Sequence, residues 1–383
     1  MIVERPALER RVLASLSAGR IPVILGGCGV GRTSLLLRLE RGLGADRAQY
    51  VDVAAAATTP ERCLASITGG TRAGRAFAGQ TAPTTARAAF DALLAFFDGA
   101  RSADGKPATF LLDEFLDVRT FESFPGLRHA QRDVIARWAE SPAQFVLASR
   151  FTARVHRLLR DAPARFEVVH VPPMTGAEVL AMAGPVEAER RPWTADVAPS
   201  VATLAGGRAG AVHLLLGTIA SQGPSADPVA ALAALFAPDG RLTARCRESY
   251  EFRLHRARGY GALKAILGIL AEQEPLNLTE IAQRLRRTPG STKDYLSWLE
   301  DVDLISAQGK RYTFDDALLR LFVRLYARPV PPTDDDVVRE VGAYAAARIA
   351  SAPRPAPPAP VAAARPIEEA AEVGRASGII EID

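Results

Sequence analysis

Cysteine is scarce. The 383 residues hold three, Cys28, Cys63 and Cys246, with no C-x-x-C pair among them. That excludes a disulfide framework and offers no zinc-binding spacing, so a reducing compartment is the expected setting. Long apolar runs are missing too. No stretch of about 18 apolar residues occurs, so no segment is expected to span a membrane. The start, MIVERPALER, carries charges and lacks an apolar segment of signal-peptide length. A cytoplasmic protein with no membrane partner is therefore expected. Nor is either sign of charge in large excess. The formal net charge is +4 and the pI about 9.1, which is compatible with nucleic acid without demanding it. The positive charge is carried almost wholly by Arg, which reads as a compositional bias and not as an argument for phosphate binding. No internal repeat is visible.

What is present is ordinary globular material. A 48% hydrophobic, 23% charged chain of this length can build sizeable cores and two or three domains. Short apolar strands alternate with helical patterns through the first 174 residues. The strands are read at 21–25, 49–53, 109–112, 144–148 and 166–171. Such alternation implies a parallel sheet covered on both faces. From about Thr175 the pattern turns to helices only. From about Ala244 come three helices and a strand pair around Ile305 and 312–314. After Arg328 there are prolines, an acidic patch at Asp334 to Asp336, and one more helical stretch. The last residues begin SAPRPAPPAP and are expected to be disordered. The expected division is a core at 1–174, a helical segment at 175–243, a helix-turn-helix with a wing at 244–328, an acidic and helical extension at 329–350, and a tail at 351–383.

Two motifs carry chemistry. In IPVILGGCGVGRTSLLLRL a buried strand enters a glycine-rich turn and a helix leaves it. This follows the Walker A pattern G-x-x-x-x-G-K-[ST], with Gly26 and Gly31 as the fixed glycines and Thr33 as the hydroxyl. Arg32 stands in the place of Lys. Loop amides from Gly26, Gly27, Cys28, Gly29, Val30 and Gly31, with Arg32, Thr33 and Ser34 on the helix start, would cradle phosphates. Arg keeps the charge but is longer, planar and forked, so binding is better supported than fast hydrolysis. Cys28 reads as an incidental small residue, with a redox switch as the alternative. The second motif is ATFLLDEF, a buried strand ending in adjacent acids. Downstream of the first, it places Asp113 with Thr33 on Mg²⁺ and Glu114 on an attacking water. The next strand ends in Ser149 and Arg150, where ligands bind in open α/β sheets. Arg150 is either a sensor of the γ-phosphate or a surface residue.

The ordered set R-x-x-x-E (Arg5, Glu9), GGCGVGRTSLL, YVDV, LLDEF, LASR and GGRAGAVHLLL, followed by a winged helix, resembles the archaeal-type ATPases of the STAND branch of AAA+-like P-loop proteins. It does so over residues 1–328. The resemblance implies an α/β fold: a P-loop NTPase parallel sheet with a helical lid, then a winged-helix domain and a disordered tail. It implies Ile2 and Val3 beside the adenine, Ser149-Arg150 at the sensor position, and GGRAGAVHLLL approaching the nucleotide from the lid. The family's Pro in that segment is Ala209 here.

In the winged helix, the third helix and the wing offer Lys293, Tyr295, Ser297, Lys310 and Arg311 as DNA contacts. The acids Asp294, Glu300, Asp301 and Asp303 suit a docking module instead, and Arg284, Arg286 and Arg287 on the preceding helix partly offset them, so both readings stand. Asn277 or Thr279 would cap the second helix, and Ser291 or Thr292 the third. The tail end, SGIIEID, suits capture by a protein partner. The expected protein is an ATP- and Mg²⁺-dependent switch with slow hydrolysis of ATP to ADP and phosphate, governing a DNA- or partner-binding module. Its alternatives are a DNA-binding regulator or recruitment ATPase, and a non-hydrolysing scaffold that assembles through its nucleotide domain and tail; a homo-oligomer is a further expectation.

Overall fold

Strand β1 (Ile21–Leu25) reads IPVIL and is buried at every position, as a central strand covered on both faces must be. The computed structural model describes residues 4–69, 83–102, 104–183, 197–222, 227–255 and 259–351. Before β1 lies α1 (Pro6–Ser17). After it come α2 (Arg32–Leu43), β2 (Ala48–Asp52), α3 (Val53–Ala56), α4 (Pro60–Gly69), α5 (Ala86–Gly99) and β3 (Thr109–Asp113). A 3-10 helix, Phe115–Ser123, leads to α6 (Ala130–Glu140), β4 (Gln144–Ser149), α7 (Thr152–Leu159) and β5 (Phe166–His170). The sheet order is β2-β3-β4-β1-β5, parallel throughout.

Alternation along the strands divides the core. Ile24, Leu111 and Val146 face Leu8, Val12 and Leu16 of α1 and Leu35, Leu36 and Leu39 of α2. Val23, Leu25, Phe110 and Phe145 face the other way. There an aromatic nest forms, in which Phe97 meets Phe110 edge-on at 4.8 Å and Trp138 lies 5.3 Å from Phe145. Such rings contribute beyond their buried area by about 0.5–1.5 kcal/mol per pair.

The helices α8 (Gly176–Ala183), α9 (Val197–Leu204), α10 (Ala209–Gln222) and α11 (Pro228–Leu235) follow. Then come α12 (Arg241–His255), α13 (Tyr260–Glu272), β6 (Leu276–Asn277), α14 (Leu278–Leu285), α15 (Pro289–Asp301), β7 (Ile305–Gln308), β8 (Arg311–Phe314), α16 (Ala317–Tyr326) and α17 (Asp334–Ser351). The last three strands form an antiparallel sheet in the order β6-β8-β7. Leu296, Leu299 and Ile305 point inward, as their spacing requires.

Local chemistry moves several boundaries from where spacing alone puts them. Asn277 does cap α14, in a reciprocal capping box with Glu280. The cap of α15 is Thr288, not Ser291 or Thr292. Pro289 fits the first helical position, where its missing N–H costs nothing, and Thr288 accepts from the Ser291 amide. Val53 opens α3 and does not end β2, because the Asp52 carboxylate accepts from Ala55 N and starts a helix. The acids at 334–336 form the first turn of α17, where the helix dipole favours them. Ile2, Val3 and the tail from residue 352 lie outside the described residues. No described helix is long and apolar enough to cross a membrane.

Candidate functional site

The sheet topology brings both motifs to one end. Strand β4 lies between β1 and β3, so the loop after β1, the acids at the end of β3 and Ser149-Arg150 at the end of β4 converge. The glycine-rich loop runs from Gly26 to Gly31. Gly29 (φ +77°) and Gly31 (φ +100°) take left-handed backbone angles that L side chains rarely adopt. A Cβ on Gly26 would lie 2.8 Å from Cγ2 of Val30, and Val30 itself packs toward the α1–α2 side. The loop delivers the chain into α2 with Arg32, Thr33 and Ser34 in its first turn. Helix N-termini leave amide donors unused and carry a positive dipole end.

Thr33 Oγ1 donates to Asp113 Oδ2 at 2.6 Å. Tyr50 OH donates to the same oxygen at 3.2 Å. Asp113 is 4% exposed. Burial raises its pKa above the usual carboxylate range, Thr33 opposes that, and neighbouring Glu114 adds to it. A buried carboxylate held at this cost is a cation's partner in waiting. Tyr50 was not foreseen, because an aromatic within a strand reads as packing.

Glu114 sits in the left-handed region (φ 51°), a strain of about 1–2 kcal/mol for a residue with a Cβ. Its carboxylate is clamped from two sides. Arg32 Nη2 reaches Oε1 at 2.8 Å. Arg150 Nε lies 3.0 Å from the same oxygen, and the Arg150 amide donates to Oε2 at 3.2 Å. The fold thus brings Arg150 against Glu114. Arg32 Nη1 reaches the carbonyls of Gly26 and Gly27, while its Nε is left without an acceptor.

Two further arginines close over the loop, and sequence reasoning missed both. Arg208 precedes α10 and donates from Nη1 to Cys28 O at 2.8 Å, while its Nε pairs with Asp316 at 3.2 Å. Two residues on, the Gly210 amide donates to Gly29 O at 2.8 Å. Arg208 lay in view within GGRAG, where Ala209 in place of the family's Pro drew the reading. Gly207 is indispensable there, since a Cβ would fall 2.4 Å from Pro173 Cβ. Arg253, on α12 and 2% exposed, donates to Cys28 Sγ at 3.0 Å and to Asp303 O at 2.7 Å. Nothing in a chain so rich in Arg marks it out. Burial, the largest single influence, disfavours the Cys28 thiolate, yet the charge and hydrogen bond of Arg253, with the Arg150 charge and a hydrogen bond from Ser249, together leave the thiol below its ordinary value. Arg150, Arg208 and Arg253 line a cavity of about 450 Å³ together with Gly27 and Asp303.

No family model matches the sequence, and no curated protein does. Among solved structures, the chain is similar to the Walker-type ATPase PABY2304 of Pyrococcus abyssi. The TM-score is 0.65 at 14% identity, over 84% of this chain and 96% of that one. The fold is that of a P-loop ATPase. A weaker likeness, TM-score 0.41 at 9% identity, over 82% of this chain and 93% of that one, is to the RuvB Holliday junction branch migration motor of Thermotoga maritima; it carries no argument.

The P-loop residues fit a nucleotide and a divalent cation on two observations. Nε of Arg32 and Nε of Arg253 are buried without an acceptor, so the donor set lacks an anion. The oxygens of Thr33 and Asp113 stand together, and hard oxygen donors suit Mg²⁺. The other candidates lie apart from the P-loop. Lys293 and Ser297 are exposed on α15, and Lys310 is exposed at the β7–β8 turn. Tyr295 is half-buried against Trp298, and Arg311 is drawn to Pro275 O and Glu280.

Proposed function

We propose that this chain binds ATP with Mg²⁺ and uses the bound state as a switch, with slow hydrolysis to ADP and phosphate. The observation that carries the reading is the contact between Thr33 and Asp113 at the foot of a left-handed glycine loop. Loop amides and the start of α2 receive the phosphates. Thr33 and Asp113 hold Mg²⁺, which neutralises phosphate charge when bound. Glu114 orients and polarises water once its carboxylate is free, and Arg150, Arg208 and Arg253 face the nucleotide from the other side. In this reading residues 1–174 are the core, 175–243 the lid and 244–328 a winged helix.

The winged helix reads best as a docking module. Asp303, just past α15, accepts from the amides of Thr152 and Ala153 at 2.6 and 3.2 Å, and Asp301 pairs with Arg157. Asp301 and Asp303, at the end of the third helix, thus have partners in the core. The scaffold alternative is favoured by one fact, the engagement of Glu114 by Arg32. Phosphate release on purified protein tests hydrolysis: measurable turnover that vanishes in Glu114→Gln supports the switch, and none at all supports the scaffold. A gel shift with and without ATP tests DNA, and strong salt-dependent retardation would reverse the docking reading.

A further inference from the structure

We infer that Cys28 is a modification site within the glycine-rich loop, whose sulfur a small hydroperoxide oxidises to a sulfenic acid that weakens nucleotide binding. The loss of binding rests on the nucleotide reading above; the oxidation does not. A buried cation is aimed at the sulfur. Arg253 is 2% exposed. Its Nη2 donates to Cys28 Sγ at 3.0 Å, its Nη1 to Asp303 O at 2.7 Å, and its Nε finds no acceptor. A guanidinium keeps its proton in proteins, and a buried cation is costly without an anion. Of the two acceptors, only the sulfur can become one. Cys28 is also within reach of solvent. It is half-buried and lines a cavity of about 90 Å³ with Arg208, Arg245, Ser249 and Asp316. Such a space admits a water-sized molecule, and a hydroperoxide is little larger.

Burial works against the Cys28 thiolate, while Arg253, Arg150 and Ser249 favour it and leave the thiol below its ordinary value. Asp316, the acid of the same cavity, is paired with Arg208 at 3.2 Å, which mutes its repulsion. The two other cysteines serve as controls inside the molecule. Both are buried. Burial pushes the Cys63 thiol up to about 12. It raises Cys246 as well, with Asp316 adding, although Cys246 lines the same cavity. The thiolate is the nucleophile and the thiol is not, so the chemistry selects Cys28. The thiolate attacks one peroxide oxygen. An S–O bond forms, the O–O bond breaks, and the departing oxygen takes up a proton to leave as water or an alcohol. Sulfur gives up two electrons and the peroxide takes them. The product places an acceptor oxygen between Gly27 and Gly29, in a loop whose donors must face phosphate. It competes with phosphate for those donors and for Arg253.

The test treats the reduced full chain with near-stoichiometric hydrogen peroxide at several pH values. Dimedone, which tags sulfenic acids, and peptide mapping locate the product in wild type, Cys28→Ser, Arg253→Lys and Arg253→Gln. Without the tag, Mg·ATP affinity is measured before oxidation, after it, and after a dithiol reductant. The tag should fall on Cys28 alone and vanish in Cys28→Ser, and its rate should report a pKa below the ~8.5 of a free thiol. Arg253→Gln should slow it about tenfold at pH 7 through a smaller thiolate fraction, and Arg253→Lys should keep most of the rate. Oxidation should weaken ATP binding about tenfold, the scale of one charged hydrogen bond, and the reductant should restore it. No tag on Cys28, tagging of Cys63 or Cys246 at a comparable rate, or the pH dependence of a free thiol overturns the inference. If Arg253→Gln does not fold, the wild-type pH profile decides alone. Unchanged ATP affinity in the Cys28-oxidised chain overturns the effect on binding and leaves nucleotide binding itself standing. Failure of the reduced wild type to bind ATP, with Cys28 still tagged, overturns the nucleotide reading and the loss of binding with it, while the oxidation site stands.

Discussion

Arg32 directs its donors at the protein itself: two loop carbonyls and Glu114. The residue is 7% exposed, and an ion pair so placed gains little net stability but is expensive to break from one side. Arg32→Ala is thus expected to weaken nucleotide binding and to lower the thermal midpoint, by about 3 kcal/mol or more in unfolding free energy. Arg32→Lys removes the fork that reaches carbonyls and carboxylate together. It should keep binding and raise turnover, and a Lys variant no faster than wild type would show that the site is adapted to Arg. At Asp113 the linkage runs through pH. Its folded pKa lies above the ordinary value because burial penalises the charge. Its contribution to stability is therefore largest below the unfolded value and declines as pH rises through the folded one. Asp113→Asn should flatten that decline in the nucleotide-free protein and abolish the Mg²⁺-dependent part of ATP stabilisation. Thermal midpoints across pH, with and without Mg·ATP, read both.

Between elements, the junction of α7 with the turn after α15 is the informative contact. Asp303 takes a left-handed angle (φ 50°) and caps α7 from outside its own segment, where a lost cap costs about 1 kcal/mol. Burial raises its pKa to about 6, with Asp315 adding and the Thr152 and Ala153 amides and Arg253 opposing. Undocked, the group returns to its ordinary range. Docking then takes up a proton, is strongest at low pH and weakens as pH rises through about 6. Hydrogen exchange at Thr152 and Ala153, corrected for intrinsic rate, should be slower at pH 5 than at pH 7.5. Asp303→Asn should remove most of that dependence, and an unchanged profile would sink the assignment. Elements were legible where one local rule dominates. Strand β1 is apolar throughout, and the box of Asn277 and Glu280 announces α14. The 3-10 helix Phe115–Ser123 was not legible, since Phe115, Leu116, Val118 and Phe121 are buried without a period that separates helix from loop. The cap of α15 was misplaced because Ser291, Thr292 and Thr288 all carry the right hydroxyl, and Pro289 decides among them.

Across the whole molecule, the loop and the acids were legible because strand, glycines, hydroxyl and carboxylates occur in fixed order along the chain. The second half of the site was not. Arg208 and Arg253 reach the loop from positions 180 and 225 residues away, and their role exists only once α10 and α12 are folded over it. Both bind Cys28, so the glycine-rich loop, the residue before α10 and helix α12 meet at one residue. Any ligand that binds only the folded state stabilises it by mass action, by roughly 2.7 kcal/mol at ~100 times its dissociation constant. The most direct measurement is an equilibrium titration of the intact protein with ATP, in Mg²⁺ and in a chelator. Saturable binding that weakens without Mg²⁺, and that Asp113→Asn makes indifferent to it, is the expected result. No saturation at millimolar ATP under either condition would contradict the account at its centre.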